Sequence, residues 1–218
     1  MGNQKTKKEL WIVIFVVTIA SLLFVFWFII IDQNSINRPL KIIFFLLRIV
    51  FIFPVFLLVY FLAIKKYTPK DIGIWGIKCW YVSLPIILLI GGVTYILFPE
   101  GMQFQYYWQN NGITGFILFG FITAAIPEEI TRTLFQSRLG IVLNSKSIAW
   151  FMVSLVWALQ HIPIFVSRSA GDYYSAFISA LGILPIGLLW GYLNERYKSI
   201  VPSVIIHGTN LWGLHNIF

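Results

Sequence analysis

The chain has 218 residues and a formal net charge of +8, and its mean hydropathy is +0.83, with 59% of residues apolar and only 11% charged. A soluble domain carries about a quarter charged residues, so this chain cannot cover its own surface in water. One cysteine, Cys79, excludes an internal disulfide and a multi-thiolate metal site, and basic residues gathered at the ends of apolar runs point to membrane topology, not nucleic acid.

Seven apolar runs follow in chain order: 11–32, 39–64, 80–98, 113–136, 147–166, 174–193 and 199–217. Most are long enough to cross a hydrocarbon core of roughly 30 Å as helices. Lipid offers no partner to open backbone groups, which favours helices, and no ten-residue polar/apolar alternation suggests a barrel. The expected fold is all-α, a polytopic transmembrane bundle of seven spans.

The first run is too long for a signal-peptide core, and no small-x-small cleavage site follows it. Met1-Gly2-Asn3-Gln4-Lys5-Thr6 fits the loose myristoylation pattern, but an acyl chain adds little beside a spanning helix. Asp32-Gln33-Asn34-Ser35 closes this run, and Lys65-Lys66-Tyr67-Thr68-Pro69-Lys70-Asp71 closes the second, which contains Arg48. The glycine-punctuated stretch 71–78 reads as an interfacial linker, dividing an N-terminal helix pair (1–79) from a five-helix core (80–218). Pro99-Glu100-Gly101 ends the third run, and Asn110-Asn111-Gly112 leads into the fourth.

Basic residues then orient the bundle. Lys5, Lys7, Lys8, the four lysines between 65 and 78, Arg138, Lys146, Arg196 and Lys198 fall on one side, against Arg38, Lys41 and Arg168 on the other. The expectation is a plasma-membrane protein with its N-terminus in the cytoplasm and its C-terminus outside. Trp75, Trp80 and Tyr81, and Tyr106, Tyr107 and Trp108, lie where interfacial aromatic belts belong.

The chemistry concentrates in the second half. Glu128, Glu129 and Arg132 fall inside the fourth run, where each charge costs about 2.5–3.5 kcal/mol on insertion scales. Arg132 is three and four residues from the two carboxylates and can reach either. Two adjacent carboxylates in low dielectric do not both ionise easily, so one is expected to hold or accept a proton, as general acid–base chemistry requires. Pro127 lacks an N–H and is expected to disrupt the helix one turn upstream, which could admit water. A structural ion pair between helices accounts for this segment equally well.

His161 ends the fifth run and His207 lies inside the seventh, with Asn210 a turn later; His215 reads as interfacial. Each histidine alone is more often a packing residue. Two of them on helices flanking a glutamate pair supply, with an amide and a water, the parts needed to hydrolyse an amide bond. Gly-x-Ser-x-Gly, His-Glu-x-x-His and paired intramembrane aspartates are absent.

These residues resemble the CPBP intramembrane proteases, which include type II CAAX prenyl endopeptidases and bacteriocin-processing or self-immunity proteins. Three features carry the resemblance over residues 80–218: Glu128-Glu129 with Arg132, Trp157-x-x-x-His161, and His207 with Asn210. It implies that Glu128 is the general base that activates water, helped by His161, and that Glu129 and Arg132 orient it. It further implies that His207 and Asn210 stabilise the tetrahedral oxyanion. A divalent metal such as zinc is an open question, with His161, His207 and Glu128 as candidate ligands. In the usual pattern the arginine stands four residues after the second glutamate, and the amide four after the histidine. Here Thr133 and Leu211 hold those positions, and Arg132 and Asn210 come one residue early.

The resulting expectation is an intramembrane endopeptidase acting on a small peptide, a protein tail or a membrane-protein substrate, in contact with membrane lipid and not nucleic acid. The alternative is a non-catalytic relative that binds a peptide or partner as an immunity factor or scaffold. A proton-coupled transporter is a third reading, for which the internal symmetry and second discontinuous helix are missing.

Overall fold

A computed structural model describes residues 2–27, 54–74, 76–97 and 112–209, together with positions 39, 40, 43, 47 and 109. The described residues form helices and connecting turns, with no strand among them. We label the helices α1 (Gly2–Val25), α2 (Val55–Ile64), α3 (Ser83–Leu97), α4 (Gly112–Val142), α5 (Lys146–Leu159), α6 (Ile162–Arg168), α7 (Tyr173–Gly182), α8 (Leu184–Tyr197) and α9 (Val201–Thr209). Five stretches are long and apolar enough to cross a membrane: Thr6–Val25, Cys79–Leu97, Gly112–Val142, Lys146–Arg168 and Tyr173–Tyr197. They correspond to the first, third, fourth, fifth and sixth apolar runs, and the chain is an all-α polytopic bundle. Much of the first half of the second run and the end of the seventh lie outside the described residues. So do Arg48, Trp75, the aromatic cluster 106–108, Asn210 and His215.

Local chemistry sets the breaks. Ser145 caps α5 by accepting from the Ile148 N–H, and Asp172 caps α7 by accepting from Tyr174 and Ser175. Pro163 and Pro185 stand in the first turns of α6 and α8, where the missing N–H is not needed. Upstream of Pro127 the helix widens into a π-helical stretch over Phe116–Ala125. A proline inside a continuous α-helix clashes with the carbonyl four residues back, and a widened turn relieves that clash. The disruption expected from Pro127 thus takes the form of ten π-helical residues rather than a simple kink.

α4 is the centre of the bundle, packed against α1, α5, α8 and α9. Its core with α1 and α2 joins Val13, Val16 and Val17 to Leu57, Phe61, Ile130 and Leu134. A second core brings Trp157 and Ala158 of α5 against Ile183 and Trp190. Leu88, Leu89 and Ile96 of α3 are exposed on the outside, which in a bilayer is ordinary contact with equally apolar lipid.

Candidate active site

Successive helical residues point about 100° apart, so Glu128 and Glu129 leave α4 in different directions. Glu129 is fully buried between α8 and α9. Its Oε2 lies 3.4 Å from Arg132 Nε and accepts from Asn194 Nδ2 at 2.8 Å. Its Oε1 lies 3.2 Å from His207 Nδ1. Asn194 is held in turn by Ser203, whose hydroxyl donates to the amide oxygen. Such a charge at bilayer depth is tolerable only because every side of it is paired.

Glu128 turns the other way, toward α5, and its side chain keeps a quarter of its surface exposed. Its Oε2 accepts from Trp157 Nε1 at 2.7 Å and lies 3.8 Å from His207 Nε2. His207 therefore bridges the two carboxylates, one ring nitrogen toward each, while its face stacks on Trp190 at 4.1 Å. Arg132 is sandwiched by aromatic rings, its guanidinium 4.4 Å from Trp157 and 5.6 Å from Trp190, and it donates to the Gly187 carbonyl. Gly187 is required here, since a Cβ at that position would lie 2.7 Å from the Trp157 ring.

His161 lies in the turn between α5 and α6. Its Nδ1 is 2.9 Å from the Trp157 carbonyl, which fixes the proton on Nδ1 and leaves the lone pair on Nε2. Trp157 at 4.5 Å, Phe24 at 6.4 Å and Phe165 at 6.5 Å surround the ring.

A cavity of about 90 Å³ lies between α1, α4 and α5. Glu128, Arg132, Trp157 and His161 line it, along with Val17, Ala20, Ser21 and Phe24 of α1. At about 30 Å³ per water it holds a few water molecules. Glu128 and His161 thus share one space, whereas Glu129 and His207 stand behind Glu128 in the buried ion network. Asn210 lies outside the described residues. Among the described residues no group of three or more His, Cys, Asp or Glu side chains is placed to hold a metal ion. Nδ1 of His207 faces Glu129, and Nδ1 of His161 faces a backbone carbonyl.

Sequence reasoning missed Asn194, whose only sequence signal is an amide at the charged end of the sixth run, in Asn194-Glu195-Arg196. It also treated Trp157 as a motif marker, whereas the indole N–H holds the exposed carboxylate. Arg138 was counted among the flanking basic residues. It is buried instead, its Nε 2.8 Å from Glu9 Oε2.

The chain is an integral membrane protein with a carboxylate–imidazole–guanidinium cluster buried in its helix bundle. Residues 110–212 match the Rce1-like family model, described as type II CAAX prenyl endopeptidase Rce1-like. The match is consistent with a CPBP-family protease, and it contains Glu128, Glu129, Arg132, His161, His207 and Asn210 while leaving α1, α2 and α3 outside. No curated protein and no solved structure matches the chain.

Proposed function

We propose that the chain is an intramembrane endopeptidase in which Glu128 activates a water for attack on a peptide or protein tail at the plasma membrane. The observation that carries this reading is the division of labour in the glutamate pair: one carboxylate is fully enclosed, and the other faces a cavity shared with a histidine. The family match supports proteolysis as the reaction class.

Trp157 holds Glu128 Oε2, so Oε1 is the oxygen left for water. Glu128 takes a proton as the water oxygen bonds to the carbonyl carbon, and the carbonyl oxygen becomes an oxyanion. The C–N bond then breaks, the proton passes to the leaving nitrogen, and the products are a carboxylate and an amine. His161 Nε2 accepts a hydrogen bond from the attacking water and aims it. His207 donates to Glu129 from Nδ1, and stabilisation of the oxyanion is the role proposed for it and for Asn210. Glu129 and Arg132 hold Glu128's helix face and His207 in place.

Glu128→Gln tests the reading. Gln keeps the oxygen that accepts from Trp157 but cannot take a proton from water, so function should fall at least ~10²-fold with abundance nearly unchanged. Membranes expressing each variant are scored for protein level and for the cellular phenotype of the wild type. An abundant Glu128→Gln protein with full function would assign the chain to the binding or scaffold class instead.

A further inference from the structure

The family match begins at residue 110 and leaves α1 outside, yet α1 supplies a wall of the cavity in which Glu128 and His161 meet. Two contacts tie it to the histidine. Ser21 Oγ accepts from Gln160 Nε2 at 2.6 Å and donates to the Val17 carbonyl at 2.7 Å, so its own direction is fixed by its helix. Gln160 directly precedes His161, in the turn where α5 gives way to α6. Phe24, one turn beyond Ser21, meets the imidazole edge-on at 6.4 Å, on a ring otherwise held by Trp157 and Phe165.

A turn between two helices has fewer backbone restraints than a helix interior, and His161 has only one described hydrogen bond to its ring, from its own preceding turn. Its orientation therefore depends on what holds Gln160 and what fills the space beside the ring. We infer that Ser21 and Phe24 are positioning residues for His161, so that α1 completes the site rather than merely anchoring it. This inference rests on the proposed site. Its test involves no substrate and no turnover, so it stands or falls separately from hydrolysis.

The chain has three histidines, so the ¹⁵N imidazole spectrum of the full-length protein in lipid nanodiscs is simple, and a His161→Gln sample assigns the signal of interest. The wild type should show His161 as one tautomer with the proton on Nδ1. Ser21→Ala should split or broaden that signal, Ser21→Thr should restore it by returning the hydroxyl, and Ser21→Ala with Phe24→Ala should abolish the single-tautomer signature. The His207 signal, held by Glu129 on the far side of α4, should stay in place throughout. An unchanged His161 signal in the double variant would overturn the inference. So would a His207 signal that moves in step with it, since that would mean a general loosening of the bundle.

Discussion

At the residue scale, the two glutamates are adjacent in sequence and unlike in surroundings. Glu129 balances a buried guanidinium, an amide and an imidazole, so Glu129→Gln removes the counter-charge of Arg132 and should destabilise the protein by about 3–5 kcal/mol. Glu128→Gln should be close to neutral in the same thermal-unfolding measurement in nanodiscs. If both substitutions lowered stability equally, the two carboxylates would share one structural role. The pair, the arginine and the two histidines were legible in the sequence because each is costly in lipid and so demands an explanation. Which glutamate faces the cavity came only from the resemblance and was not legible in the residues themselves, because adjacent helical positions differ only in direction, and direction is set by the helices packed around α4. Asn194 was hidden for a related reason: an amide at the end of an apolar run reads as an interfacial residue until a partner 65 residues away is found.

At the scale of elements, the placement of Trp157 depends on α8 coming close to α5. Gly187 allows that approach, its carbonyl accepting from both Arg132 and Ser154 while the Trp157 ring covers its Cα. Gly187→Ala should push the indole away from Glu128, costing about 1–3 kcal/mol in stability as overpacking does and lowering activity as well. Unfolding and activity measured on the same preparation check this, and a stable, fully active variant would show that Trp157 is not held by that contact. Gly208 is similarly tight, for a Cβ there would fall on the Phe121 ring, so a bulky residue at 208 disturbs α9 against the π-helical stretch of α4. Five of the seven apolar runs were readable as spans because length and hydropathy define a span without reference to neighbours. The π-helical stretch was readable only as a disturbance near Pro127, since sequence does not say which way a helix yields.

At the scale of the whole molecule, α1 is docked at two depths. Near its start, buried Glu9 meets Arg138 at 2.8 Å and accepts from the Tyr67 hydroxyl at 3.0 Å, while the guanidinium lies over Phe61 and Tyr67. Glu9→Ala leaves Arg138 buried without its counter-charge and should cost about 3–5 kcal/mol, seen as a lower melting temperature; an unchanged one would mean that α1 is held by apolar packing alone. Arg138 read in sequence only as a basic flank of an apolar run, because a pair 129 positions apart has no signature along the chain. Cleavage of peptide bonds by a water that Glu128 activates is the proposal on which the reading of the whole bundle depends. The most direct test is labelling of new protein N-termini in cells producing wild-type or Glu128→Gln protein at equal abundance. A set of new termini should appear with the wild type and be missing with Glu128→Gln. Identical sets of termini from the two cultures would contradict it.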